Sequence, residues 1–297
     1  MKIRILRLAA IFLLALCCSS CGLFLQRNAP YYHAGTPWKQ LPHMGIVEEV
    51  EHATSVKGPS HRRMLVYLPA DYYDNDRRYP VYYLLHGARG HETAWISRGD
   101  VLRLTDSLFT YDLAEKYILV LPNVNQYNDD KDFDDSRYKD AFESLFEVNG
   151  AVETGFVEDV VKTVDSLYRT IPDKRHRAIA GLSIGGLQSI WISARNPDTF
   201  GYIGAFSAML HPFQKPSPYN KFYSQLKPAL DIQFREAPDA YILFVGDTDF
   251  YYGTARRFDR YLTRKGYPHD LVITKGGHEW YNWTAYYCML ARKAFRD

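Results

Sequence analysis

Ala178-Ile179-Ala180-Gly181-Leu182-Ser183-Ile184-Gly185-Gly186 is the stretch whose reading decides the architecture. Its first three residues form an apolar run that reads as a buried strand, and residues 187–195 read as a helix. A serine between small residues at such a strand-to-helix turn is the G-x-S-x-G nucleophile elbow. The turn is tight, so the flanking positions must lack side chains that would strike the adjoining strand or helix. The geometry lifts the Ser183 hydroxyl away from the sheet and aims the backbone N–H of Ile184 at whatever the hydroxyl attacks.

Working outward, further short apolar runs bounded by turn residues fall at 81–85, 118–121, 241–245 and 271–273. Unbroken runs of this length fit strands buried on both faces of a mainly parallel sheet. Residues 45–56 and 64–68 read as an antiparallel pair joined by Gly58-Pro59-Ser60. Between 156 and 168 the apolar positions Phe156, Val157, Val160, Val161, Val164, Leu167 and Tyr168 recur at helical spacing, and Pro172 follows. Alternation of strand and helix predicts a doubly wound α/β sheet. The least regular stretch, 123–154, is expected to form an insertion over the C-terminal edge of the sheet, where such folds place their sites.

A serine hydroxyl is a poor nucleophile at neutral pH and needs a base oriented by a carboxylate. In the chain order that accompanies the elbow, an acid and then a histidine follow the serine. Gly246-Asp247-Thr248-Asp249 ends the run 241–245, and Gly276-Gly277-His278-Glu279-Trp280 follows the run 271–273. Both lie in loops leaving predicted strand ends, where they could meet Ser183. His278 is the expected base. Asp247 and Asp249 are both available as the acid; Asp249 is favoured, with Asp247 capping the following helix or turn. Backbone N–H groups that hold a developing oxyanion are worth on the order of 3 kcal/mol each. One is expected from Ile184 and the second from Ala88, within Leu84-Leu85-His86-Gly87-Ala88-Arg89-Gly90.

These segments resemble the esterase D / feruloyl esterase branch of the α/β-hydrolases, which also contains siderophore esterases and mycolyltransferases. The matching pieces are Tyr82-Tyr83-Leu84-Leu85-His86-Gly87 with Trp95 downstream, Phe156-Val157-Glu158-Asp159 before Tyr168-Arg169-Thr170, the elbow, Gly246 through Asp249, and Gly277-His278-Glu279-Trp280 with Trp283. The resemblance implies an α/β-hydrolase fold, Ser183 as nucleophile, Asp249 as acid, His278 as base, and Ala88 with Ile184 as oxyanion donors. It leaves the substrate open, because members of one fold differ in the loops around the site.

Composition limits the alternatives. With 297 residues and 46% hydrophobic content the chain can bury a large core, and a formal charge of +2 with dispersed Lys and Arg argues against a nucleic-acid surface. Lys2, Arg4 and Arg7 precede a short apolar stretch, 8–16, that reads as a targeting segment too short to span a membrane. Ser19-Ser20-Cys21-Gly22 resembles a bacterial lipobox, although Cys18 stands where leucine is usual. The expected organisation is therefore a signal peptide over 1–21 with Cys21 lipidated, a Pro-containing tether over 22–43, and one catalytic domain over 44–297. That places the protein in the bacterial cell envelope, with plain secretion as the alternative, and leaves Cys288 as the domain's single cysteine, so that it has no internal disulfide.

No cofactor or metal is expected. Asp129, Asp130, Asp132, Asp134 and Asp135 lack the glycine and closing glutamate of a calcium loop and read as a solvated acidic segment. Trp95, Tyr251, Tyr252, Trp280 and Trp283 are candidates to stack on a sugar or an aromatic acyl group. The expected function is a serine esterase acting through an acyl-enzyme on carbohydrate-linked esters, feruloyl or acetyl. The rivals are an acyltransferase of the mycolyltransferase type, a siderophore-ester hydrolase and a non-catalytic binding module.

Overall fold

The computed structural model describes residues 43–56, 60–88, 90–125, 151–210 and 219–296. The leader, the tether, the acidic segment and most of the 123–154 insertion lie outside the described residues, as does most of the Gly58-Pro59-Ser60 connection.

Eight strands form one sheet in the order β1-β2-β4-β3-β5-β6-β7-β8. They are β1 Ile46–Ala53, β2 His61–Leu68, β3 Val81–Leu85, β4 Ile118–Pro122, β5 Arg177–Leu182, β6 Tyr202–Phe206, β7 Ala240–Gly246 and β8 Asp270–Thr274. β2 runs antiparallel to both β1 and β4, and every other pairing is parallel. The mostly parallel α/β-hydrolase sheet expected from the sequence is present. The helices are α1 Ala94–Gly99, α2 Val101–Thr110, α3 Ala151–Gly155, α4 Lys162–Leu167, α5 Ile184–Arg195, α6 Tyr219–Gln233, α7 Tyr252–Lys265 and α8 Trp280–Lys293.

The unbroken apolar runs of β3, β4, β5 and β7 follow from burial on both faces, since successive side chains of a strand point to opposite sides. The run at 271–273 departs from that expectation, because β8 ends the sheet and is only partly covered, with Ile273 44% exposed. In β3, Val81, Tyr83 and Leu85 join a core with Phe156, Ile190, Leu230 and Leu262, from the α3–α4 region, α5, α6 and α7. Tyr82 and Leu84 join a second core with Trp95, Leu102, Tyr286, Tyr287 and Leu290 from α1, α2 and α8.

Two elements differ from expectation. β6 escaped the sequence pattern because Gly204 interrupts its apolar run; a Cβ there would meet Leu290 Cδ2 at 2.5 Å, so the sheet is tightly covered at that point. The helix expected over 156–168 contains a π-helical stretch, Phe156–Val161, between α3 and α4. A wider turn of this kind adds a residue per turn and shifts the facing set, which a 3.6-residue periodicity cannot reveal.

The register aligns the strand ends that matter. Leu85 pairs with Gly181, Leu182 with Phe206, Phe206 with Phe244 and Gly246 with Thr274. The loops after β3, β5, β7 and β8 therefore leave from one edge of the sheet.

Candidate active site

Ser183 lies between β5 and α5 with φ 56° and ψ −115°, a left-handed conformation that few non-glycine residues adopt. Its N–H donates to the Phe206 carbonyl, and its carbonyl accepts from Leu187 and Met209. These bonds hold a backbone geometry that costs about 1–3 kcal/mol. The glycines are explained by close approach. A Cβ at Gly181 would lie 2.6 Å from the Gly185 backbone, and one at Gly185 would lie 2.4 Å from the His86 carbonyl oxygen. Helix α5 thus starts against both its own strand and the loop after β3. Ile184, the first residue of α5, carries an N–H without an intrahelical partner, as every helix start does.

Three residues beyond β7, Asp249 is almost fully buried, and its Oδ2 accepts a hydrogen bond of 3.1 Å from Nδ1 of His278. An ionised carboxylate can only accept, so the His278 proton sits on Nδ1 and Nε2 is left as the acceptor. Oδ1 of the same carboxylate accepts the Tyr251 N–H at 2.8 Å. Burial pushes the Asp249 pKa up, but the hydrogen bonds from His278 and the Tyr251 N–H outweigh it and hold the carboxyl below its ordinary value.

Asp247 has a different task. Its Oδ1 accepts the Gly276 N–H at 3.1 Å and its Oδ2 pairs with Lys275 at 2.8 Å, so it ties the loop before His278 to the end of β7 and caps no helix. Glu279 accepts the Gly277 N–H at 2.9 Å and braces the same loop. The structure joins Asp249 to His278 and sets Ser183 on the same sheet edge. No hydrogen bond links the Ser183 hydroxyl to the His278 ring; contacts of this kind are often long before substrate binds.

The loop after β3 is positioned by His86, whose structural part the sequence did not reveal. Nδ1 of His86 lies 2.8 Å from the Gly87 carbonyl oxygen, and Nε2 accepts the Val124 N–H at 3.0 Å. The acceptor role of Nε2 puts the proton on Nδ1. Burial is the main reason the His86 pKa is driven down to about 4, so the ring is neutral at ordinary pH. The Gly87 carbonyl also accepts from the Gly90 N–H at 3.1 Å. Because a trans peptide is planar, fixing this carbonyl turns the Ala88 N–H to the opposite side. Among the described residues nothing accepts from that N–H. A Cβ at Gly87 would stand 3.5 Å from Ser183 Cβ, which sets the loop beside the serine.

The five aromatic candidates separate. Trp95 is 1% exposed, and its indole N–H donates to the Leu85 carbonyl at 3.0 Å, so it belongs to the core below the site. Trp283 is buried with its ring edge-on to His278 at 4.8 Å. Trp280 spans Trp95 and Trp283, at 5.2 and 5.3 Å. Tyr251 meets the imidazole edge-on at 5.4 Å, and Tyr252 opens α7, half-exposed, with its hydroxyl accepting from Arg256. Phe250 was missed: its ring lies 4.3 Å from that of His278 while the side chain is 69% exposed. The only signal for it was its place directly after Asp249, the expected acid.

A cleft of about 360 Å³ lined by Tyr72, Tyr73, Arg78, Asp165 and Arg169 lies at the opposite end of the sheet. Its arginines are spent on main-chain carbonyls of Tyr72, Asn75 and Thr170, so it is a structural junction. Among the described residues no group of histidine, cysteine or carboxylate side chains could hold a metal ion.

Comparison with known proteins follows the same lines. Residues 55–287 match the family model described as "Putative esterase". The chain belongs to this esterase family. An endo-1,4-beta-xylanase/feruloyl esterase of Xylanibacter ruminicola is 33% identical over 147 residues, covering 48% of this chain and 19% of that much longer protein. A ferulic acid esterase of known structure is 27% identical with a TM-score of 0.64, over 83% of this chain and 97% of the other. The ferulic acid esterase of the anaerobic fungus Anaeromyces mucronatus shares the fold, with a TM-score of 0.67 over 90% of this chain and 96% of the other at 20% identity.

Proposed function

We propose that this esterase hydrolyses carbohydrate-linked carboxylic esters, feruloyl or acetyl, through an acyl-enzyme on Ser183. The observation that carries the chemistry is the buried Asp249 hydrogen-bonded to Nδ1 of His278, on the sheet edge that also presents Ser183 in a strained elbow. His278 Nε2 takes the hydroxyl proton as Ser183 attacks the ester carbonyl, and Asp249 stabilises the imidazolium that results. The Ala88 and Ile184 N–H groups receive the oxyanion. Nε2 then delivers its proton to the departing alcohol, and water attacks the acyl-enzyme by the same route in reverse. The substrate class is supported by the two feruloyl esterases similar in sequence, one of them fused to a xylanase.

The test is direct. Ser183→Ala should lower turnover of a simple aryl ester by about three orders of magnitude or more with an unchanged circular-dichroism spectrum. Full activity in that variant removes the nucleophile assignment. Asp249→Asn should cost far more than Asp247→Asn, since only Asp249 fixes the base tautomer; the reverse order would move the acid to Asp247. A panel of feruloyl, acetyl and longer-chain esters assigns the acyl group. Added sugar alcohols read out transfer against hydrolysis.

Lipidation of Cys21 is part of the same reading, supported by the basic residues, the short apolar stretch and the small residues before that cysteine. Among the described residues no helix is long and apolar enough to cross a membrane. The domain would then act on esters reachable from the cell envelope.

A further inference from the structure

We infer that Phe250 is the platform for the alcohol half of the ester, a stacking surface for the face of a sugar ring that reads the leaving group and not the acyl group. This rests on the ester-hydrolase reading above and assigns one side of the same site.

The direction follows from the tautomer of the base. Asp249 occupies Nδ1 of His278, so Nε2 is the one ring atom able to pass a proton. In acylation that proton goes to the oxygen of the departing alcohol, which must sit within hydrogen-bond reach of Nε2. A solvent-open ring that lies alongside the imidazole is placed to border the alcohol, while the acyl chain leaves the ester carbonyl carbon attacked by Ser183 Oγ in another direction. Among the described residues three aromatic rings flank His278: Trp283 at 4.8 Å, Tyr251 at 5.4 Å and Phe250 at 4.3 Å. Trp283 is buried and serves to seal the base from below. Phe250 is the nearest of the three, and at 69% exposed it has a face open to solvent.

Phe250 lies against the imidazole on one side and leaves a face open to solvent on the other. Its placement is also fixed and not incidental. Asp249 Oδ1 accepts the Tyr251 N–H at 2.8 Å, and the Asp249 carbonyl accepts the Tyr252 N–H at 2.9 Å. The carboxylate that orients the base thus also clamps the backbone on the far side of Phe250, so ring and imidazole keep their relation. Phe250 further rests on Tyr251 with centroids 4.6 Å apart. A phenyl ring with an open face can pack against the apolar C–H face of a sugar, which a small alkyl alcohol barely offers.

Two esters with the same acyl group separate the halves of the substrate: a methyl ester and an ester of a monosaccharide such as arabinose, with the acyl group that the wild-type enzyme turns over fastest. Both give one acyl-enzyme, so deacylation cannot produce a difference between them. In Phe250→Ala the ratio of kcat/KM for the sugar ester over the methyl ester should fall about tenfold, chiefly through KM. Phe250→Trp should restore that ratio or raise it. Equal losses on both esters would show that Phe250 only packs the base, and an unchanged ratio would show that the alcohol does not touch it; either overturns the subsite. Absence of any Ser183-dependent turnover in the wild-type enzyme would instead remove the ester reading, and the subsite with it. The site is exposed, so the variant is expected to unfold at the wild-type temperature.

Discussion

His86 shows how one buried side chain can orient an amide it does not contain, the Ala88 N–H proposed to receive the oxyanion. Its Nδ1–H holds the Gly87 carbonyl, and the rigid peptide then presents the Ala88 N–H away from that bond. Asparagine places an amide N–H near the position of Nδ1, whereas leucine offers no donor. His86→Asn should therefore keep most of the turnover, and His86→Leu should lose about ten- to a hundredfold in kcat with a smaller change in KM. A trifluoromethyl ketone inhibitor, which forms an oxyanion when bound, should weaken in parallel with kcat. Equal kinetics for the two variants would remove the positioning role.

The same residue gives the fold an acid sensitivity with a defined sign. Its folded pKa of about 4 lies below the value near 6.5 of an unfolded histidine, so between these the unfolded chain binds the extra proton. Stability should fall as pH drops from about 6.5 toward 4, by on the order of 3 kcal/mol in total from this group. Urea midpoints across that range should show the slope, and His86→Asn should flatten it.

At the level of elements, the elbow depends on a helix start pressed against two neighbouring segments. A Cβ at Gly185 would meet the His86 and Leu85 carbonyl oxygens at 2.4 and 2.8 Å, both of them backbone that cannot swing away. Gly185→Ala should lower stability by about 1–3 kcal/mol and depress kcat by displacing Ser183 and the loop after β3 together. Gly253, in the first turn of α7, has only Arg257 Nη2 within reach, at 3.8 Å. Gly253→Ala should be neutral or stabilising by a few tenths of a kcal/mol. Thermal unfolding of the two variants checks the contrast. At this scale the sequence was informative wherever an element was buried on both faces and uninterrupted: β3 falls at its expected bounds. It failed at β6, where Gly204 broke the pattern for the sake of packing against Leu290. It also failed at Phe156–Val161, where a wider turn altered the period.

For the molecule as a whole, the proposed anchoring at Cys21 makes a prediction that the domain itself cannot reveal. The full chain expressed in a bacterial host should sediment with membranes and take up labelled palmitate, and Cys21→Ser should abolish the labelling. Loss of sedimentation alone, with labelling intact, would contradict the assignment. Activity on soluble esters should be the same in both forms, because the anchor lies far from residues 44–297 in sequence and joins them through a Pro-containing segment.

What the sequence determined unaided was the set of local rules: glycines where backbones must touch, apolar runs where both faces are covered, and the order of serine, acid and histidine. Each of these is written in residues close together in the chain. Which atoms meet across it was left to the packing of the folded chain. The choice of Asp249 over Asp247 as partner of His278 came from two loops packed at the ends of β7 and β8. The tautomer of His86 was decided by the Val124 N–H that follows β4, the burial of Trp95 by the core it shares with α8, and the exposure of Phe250 by its place at the surface beside His278. Composition and spacing cannot encode these, because burial and hydrogen-bond partners are properties of the packed arrangement, set between side chains that lie far apart in the chain and meet only across the folded sheet.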